Sequence, residues 1–266
     1  MAENDTPGAA RYAAPALEKG LDILEVLADS AHGYTLNELA QKVSRSVSEI
    51  FRMAVTLERR GFVRVDENDR YTLTLRMFEL SHRQQPLKSL VMTALPLMRE
   101  LANRARQSCH LAMYQQGRVV VIAQVDGPDR WSFGLKVGVT IGLTDTSAGH
   151  VLLAFRDDVD RARMLAAHVK VEGELDVDPG ELFAMLGDVR GRGYSSMASR
   201  QIRGVLNIAF PVLGQADHVI AVLNVPHIER IDQKVSPDAM QICDIVANIA
   251  GRLSALMGHS SFSDLA

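Results

Sequence analysis

Between Lys42 and Arg64, six cations (Lys42, Arg45, Arg52, Arg59, Arg60 and Arg64) stand against Glu49 and Glu58, a local net charge of +4 in a chain that is formally −3 overall. Cations gathered on one segment are the chemistry of phosphate contact, and a guanidinium can also pair with the edge of a guanine. A mildly acidic protein with a single basic segment is a poor general polyanion binder, but it can hold DNA at a defined place. With the hydroxyls and the carboxylate between the cations, Arg45, Ser46, Ser48, Glu49, Arg52, Thr56, Arg59 and Arg60 form a face suited to base edges and phosphates.

A second set of polar residues lies in apolar surroundings. Asn207 and Asn224 interrupt the runs Val205–Phe210 and Val222–Val225, and an amide turned inward there needs partners, because an unsatisfied buried polar group costs roughly 1–3 kcal/mol. A ligand, nearby backbone or the other amide could supply them.

Catalytic chemistry has one candidate, Cys109 beside His110. Neighbours on a strand point to opposite faces, so they cannot form a thiolate–imidazole pair without a kink. No catalytic residue is expected. Cys109 and Cys243 have no CxxC spacing and read as core thiols, so neither a metal site nor a cofactor is expected. The acidic run Glu172, Glu174, Asp176, Asp178, Glu181 lacks calcium-loop spacing and reads as a solvated loop. His150 reads as an exposed or capping residue.

The elements that must position the basic face follow from periodicity. Leu36, Leu39 and Ala40 make one helical stripe, and Ile50, Met53, Ala54 and Leu57 make another. The break falls at Ser44-Arg45-Ser46, where Ser46 or Ser48 can cap the second helix. Gly61 ends that helix, and Phe62–Val65 and Tyr71–Leu75 then alternate like strands around a polar turn. With a helix over 16–29 burying Leu17, Leu21, Leu24 and Leu27, the order is that of a winged helix-turn-helix. Taken alone, residues 35–60 fit equally a plain helical hairpin with a solvated basic face.

At 266 residues, 47% apolar and 23% charged, the chain has room for two globular domains. It shows neither a signal peptide nor an apolar run long enough to cross a bilayer, so a cytoplasmic location without membrane contact is expected. Residues 1–15 read as a mobile leader, 16–76 as the winged helix, 77–108 as linker helices, 109–258 as a second domain and 259–266 as a tail. Leu87, Val91, Ala94, Met98, Leu101 and Ala105 recur like a coiled-coil stripe. That stripe suits either a dimer contact or packing on its own domain, and dimerisation through it is the expectation. Pro96 either kinks the helix or marks its start.

In the second domain, strands are expected over 109–114, 119–125, 131–137, 194–197, 205–213 and 219–225. Helices are expected over 144–155, 159–167, 179–190 and 236–257. That order argues an α+β fold, an antiparallel sheet covered by helices on one side.

The segments LEKGLDILEVL at 17–27, ELAQKVSRSVSEIFRMAVTLERRGFV at 38–63, TSAGHVLLA at 146–154, RGRGYSSM at 190–197 and GVLNIAFPV at 204–212 occur in one order across both domains. In this the chain resembles the IclR family of transcriptional regulators. The resemblance implies a winged helix, a dimerising linker helix and a GAF-like domain that binds a small metabolite. It places an effector pocket at Phe133, Ile141, Ser147, Ala148, Met197, Val205, Asn207 and Asn224. It also implies operator binding as a homodimer or dimer of dimers. Three departures stand out: Ser44-Arg45 replaces the family's Gly-Leu turn, Glu49 stands where Thr is frequent, and Ser199–Arg203 lacks the usual acidic residues before Gly204.

The expected function is therefore a sequence-specific DNA-binding transcriptional regulator, repressor or activator, controlled by a small organic metabolite, with a carboxylate as its candidate anchoring group. The alternatives are a metabolite-sensing module without DNA binding and an enzyme with an accessory winged helix.

Overall fold

The computed structural model describes residues 14–231 and 236–259. The expected leader, apart from Ala14 and Pro15, and the tail beyond His259 lie outside the described residues. The chain divides between Lys88 and Ser89 into two compact units.

The first unit contains α1 (Pro15–Ala28), β1 (Tyr34–Thr35), α2 (Leu36–Lys42), α3 (Val47–Arg59), β2 (Val63–Val65), β3 (Arg70–Leu73) and α4 (Arg76–Arg83). Ile23, Leu27, Leu39, Ala40, Ile50, Ala54, Val63 and Tyr71 form its core. The wing pairs Val63 with Leu73 and Val65 with Tyr71. β1 adds an unforeseen third strand, pairing Tyr34 with Tyr71. The stripe of α1 is rotated from expectation: Gly20, Ile23 and Leu27 are buried, while Leu17 and Leu21 are 63% and 49% exposed. The contact with the core is made by Ile23 and Leu27, 0% and 2% exposed.

The second unit is built on a six-stranded antiparallel sheet in the order β6-β5-β4-β9-β8-β7. Its strands are β4 (Cys109–Gln115), β5 (Arg118–Val125), β6 (Thr140–Ile141), β7 (Ser195–Ala198), β8 (Val205–Leu213) and β9 (Val219–Ile228). Its helices are α5 (Gln85–Ala105, which begins before the division), α6 (Ser147–Ala154), α7 (Asp158–Ala166), α8 (Pro179–Arg192) and α9 (Ala239–Leu256). Helices cover both faces of the sheet, not one. Leu111, Ile208 and Leu223 pack with α5 and α9, while their strand neighbours Ala112, Ala209 and Val222 pack with α6, α7 and α8. The unbroken burial of Cys109–Ala112 and of Ala221–Pro226 is the pattern of strands covered on both sides.

Two further expectations are corrected. Residues 131–137 form no strand; Trp131 and Val137 are 72% and 60% exposed, and the third strand is instead β6, pairing Ile141 with Val119. The stripe of α5 is not free for a partner, because Ala94, Met98, Leu101 and Ala105 are wholly buried in the unit's own core. Helix α5 runs through Pro96 without ending there. No helix among the described residues is long and apolar enough to cross a membrane.

Candidate functional site

The basic face rests on the packing of α3. Ile50 and Ala54 anchor the helix inward, and Arg45, Ser46, Ser48, Glu49, Arg52, Thr56, Arg59 and Arg60 are all exposed. Ser44 holds a left-handed backbone with φ 53, so the turn keeps the geometry that a glycine would adopt freely, at some strain for serine.

Not all of these side chains are equally available. Glu49 turns back on its own helix start, accepting from Ser46 N at 3.0 Å and Ser46 Oγ at 2.8 Å through Oε2, and from Lys19 Nζ at 3.0 Å through Oε1. The Ser46 backbone donor, helped by the Ser46 hydroxyl and Lys19, pulls its carboxyl down to about 2. Glu49 thus caps α3 and ties it to α1. The Thr56 hydroxyl donates to Arg52 O at 2.7 Å.

The outer face also carries residues that the sequence reading passed over. Val47, Phe51 and Val55, spaced four apart, are 37%, 50% and 41% exposed. An amphipathic count flags them, because three apolar residues lie outside the buried stripe. Apolar side chains beside Arg52 and Ser48 are suited to the methyl groups of thymine.

In the second unit, one cavity of about 80 Å³ lies between the sheet and the start of α6, and Phe133, Ile141, Ser147, Ala148, Met197, Val205, Asn207 and Asn224 all line it. Helix α6 is aimed there by its cap. Thr146 Oγ1 accepts from Gly149 N at 3.1 Å, leaving the first two amides, of Ser147 and Ala148, without intrahelical partners. Gly149 is required for this seat, since a Cβ there would stand 2.0 Å from the Leu143 carbonyl oxygen. Ser147 Oγ donates to Asn207 O at 3.4 Å, and Asn224 Nδ2 donates to Asn207 Oδ1 at 3.3 Å.

A buried acid holds the loop before α6. Glu174 Oε1 accepts from Leu143 N at 3.1 Å, Thr144 N at 3.2 Å and Thr144 Oγ1 at 3.0 Å, and His168 Nε2 stands 2.9 Å away. Only 5% exposed, Glu174 is no part of a solvated loop. His150, 1% exposed, is likewise buried and donates through Nε2 to Thr144 O at 2.7 Å. The loop amides of Leu143, Thr144 and Val171 and the Thr144 hydroxyl make burying the acid favourable, and no local sequence pattern marks that.

His110, Asp145, Arg200 and Gln201 also line the cavity and were not foreseen there. Arg200 pairs with Glu181 at 2.6 Å, and Asp145 Oδ2 accepts from Leu175 N at 3.0 Å and Gln201 Nε2 at 3.3 Å. Cys109 points to the other face of the sheet, where its thiol meets Met98 O at 3.4 Å and burial pushes it up to about 12. It makes no pair with His110.

Comparison with known proteins agrees with this architecture. Residues 16–67 match the model of the IclR helix-turn-helix domain, and residues 87–254 match that of the bacterial transcriptional regulator IclR C-terminal region. The chain is 28% identical over 232 residues to the HTH-type transcriptional regulator KdgR of Escherichia coli, covering 85% of this chain and 87% of that one. Among solved structures, it resembles an IclR homolog from Microbacterium hydrocarbonoxydans complexed with 4-hydroxybenzoate, with a TM-score of 0.76 and 20% identity over 90% of this chain and 98% of the other. A regulator from Alicyclobacillus acidocaldarius gives a TM-score of 0.74 at 24% identity, over 93% of this chain and 100% of the other.

Proposed function

Because this chain belongs to the IclR family of transcriptional regulators, with a DNA-binding helix-turn-helix and a C-terminal ligand-binding domain, we propose that its operator affinity is set by a small organic carboxylate held in the α6 cavity. The observation that carries this reading is the free N–H pair of Ser147 and Ala148, opening on a mostly apolar cavity floored by Asn207 and Asn224. A helix N-terminus presents unpaired donors and the positive end of its dipole, which favour an anion. A cavity of about 80 Å³ suits a short skeleton, well below the ~300–1,000 Å³ of drug-sized sites. The homolog from Microbacterium hydrocarbonoxydans is a complex with 4-hydroxybenzoate, a small acid of this class.

Arg45, Ser48, Arg52, Arg59 and Arg60 contact the operator, with Thr56 shaping the face and Ser46 and Glu49 holding the start of α3. The protein acts on DNA in the cytoplasm as a homodimer or dimer of dimers, each half-site taking one winged helix. The dimer contact uses surfaces other than the buried stripe of α5. A gel shift with DNA flanking the protein's own gene, titrated with small carboxylic acids, tests the reading. Retarded DNA whose mobility responds to an acid supports it, and retardation insensitive to every acid removes the carboxylate.

A further inference from the structure

On the reading proposed above, a carboxylate accounts for the α6 end of the cavity and leaves the polar groups of the sheet floor to a second part of the same molecule. On the sheet floor, His110 of β4 and Asn224 of β9 are cross-strand partners, 3% and 2% exposed, so their side chains stand side by side with Cβ atoms about 5 Å apart. Asn224 spends Nδ2 on Asn207, 3.3 Å away. Its Oδ1, and Nδ1 of His110, are buried with no hydrogen-bond partner among the described residues. Buried polar atoms are nearly always paired, so two adjacent orphans on a cavity wall call for a group that is not part of the chain.

The chemistry of that group is narrow. Asn224 Oδ1 only accepts. His110 is neutral, since burial pushes it down to about 4, and a neutral imidazole offers one donor and one acceptor. A hydroxyl satisfies both neighbours: it donates to Asn224 Oδ1 and accepts from the Nδ1–H of His110. A methyl would leave both orphaned. An ammonium would set a buried charge against two neutral groups, which is far costlier than a hydroxyl. The carboxylate of the cavity, Asp145, is next to the start of α6 and holds Leu175 N and Gln201 Nε2 through Oδ2, while its Oδ1 is buried without a partner among the described residues, so a cation is the competing occupant that an amine probe tests.

We infer that His110 and Asn224 form a hydroxyl seat, so that the effector is a hydroxy acid whose carboxylate meets α6 and whose hydroxyl meets this pair. Ser147 reaches the sheet at Asn207 on β8, whereas His110 lies on β4 with β9 between them, two strand spacings or about 10 Å away. The hydroxyl is therefore several bonds from the carboxylate.

Calorimetric titration of the full chain with two matched pairs tests this: 4-hydroxybutanoate against butanoate and 4-hydroxybenzoate against benzoate, with 4-aminobutanoate as the cationic counterpart. The hydroxylated member of at least one pair is expected to bind about 10-fold or more tightly than its parent, as for sites built around a substrate hydroxyl. 4-Aminobutanoate is expected to bind no better than butanoate. Asn224→Leu and His110→Phe are expected to bring the ratio of hydroxylated to parent acid close to one, whatever either does to the affinity for the parent, and if either variant fails to fold, the wild-type ratio decides alone. Parent acids that bind as well as their hydroxylated partners overturn the hydroxyl seat and leave the carboxylate cavity standing. Preference for the amine overturns it in favour of a cation. No binding by any of the five overturns both the seat and the carboxylate reading.

Discussion

Asn224 and Asn207 are joined side chain to side chain, Nδ2 to Oδ1 at 3.3 Å, across two strands that are otherwise apolar on this face. Asn207 is therefore a structural partner as well as a cavity residue. Asn207→Leu strands the Asn224 amide and is expected to cost about 1–3 kcal/mol of stability, together with loss of the response to effector. Urea unfolding beside an operator-binding titration measures both. A variant with unchanged stability would show that Asn224 finds another acceptor.

Arg52 is exposed on the outer face of α3. If it reads a base, Arg52→Ala is expected to lose about 1–3 kcal/mol of discrimination at one operator position. If it meets only phosphate, binding weakens on all sequences alike and the salt slope falls by about one. Anisotropy titrations at several salt concentrations separate these, and unchanged binding in every condition removes α3 from the interface.

Phe51, 50% exposed beside Arg52, is expected to contact a thymine methyl. Replacing each operator thymine in turn by deoxyuridine should weaken wild-type binding at one or two positions. Phe51→Ala should abolish that sensitivity, and an operator indifferent to every such replacement contradicts the contact.

Glu174 supplies a pH dependence. Burial pushes its carboxyl up, but the backbone amides of Val171 and Thr144, the nearby His168 ring and the Thr144 hydroxyl outweigh this and hold it below the usual carboxylate range. A folded-state value below the unfolded one, about 4.3 for glutamate, gives stability that is present above that pH and lost as the pH falls through the lower value. Glu174→Gln is expected to lose about 1–3 kcal/mol at neutral pH through weakened loop contacts and to show a flatter acid limb than wild type. Urea unfolding across the acid range reads this, and parallel curves for the two proteins would exclude it.

Met98, wholly buried under the sheet, makes Met98→Lys a test of folding and not of assembly. An unpaired ammonium there is expected to unfold the second unit. Circular dichroism with light scattering distinguishes this from a folded monomer, which would restore the stripe as a subunit contact.

Much of the fold was legible because it rests on local signals. The stripe of α3, the cap at Ser46 and the wing around Asp66–Asp69 are readable within a dozen residues. Contacts between distant segments were not. Glu174 reads as one more acid in a charged run until Leu143 and Thr144, some thirty residues earlier, bring their amides to it. Residues 131–137 alternate like a strand, yet the edge of β5 is taken by Thr140 and Ile141. The regular stripe of α5 is the same whether a partner or its own sheet covers it. The eight expected cavity residues were brought together by the family resemblance, with only Asn207 and Asn224 marked out by their own apolar surroundings, whereas His110 was weighed only as a neighbour of Cys109 and its place on the cavity floor depends on the pairing of β4 with β9.

Control of operator affinity by an acid at the start of α6 is the central claim. Proline suits the first position of a helix, and Thr146 already has the extended backbone, φ −117 and ψ 151, that a following proline requires. Ser147→Pro therefore deletes one of the two free amides with little disturbance to α6. The decisive measurement is operator anisotropy with wild type and Ser147→Pro over a panel of small hydroxy acids and their parents. At least one acid is expected to shift wild-type affinity about 5–150-fold, and the shift should fall sharply in the variant, while affinity without acid is unchanged. An equal shift in both proteins, or none with any acid, would contradict the claim.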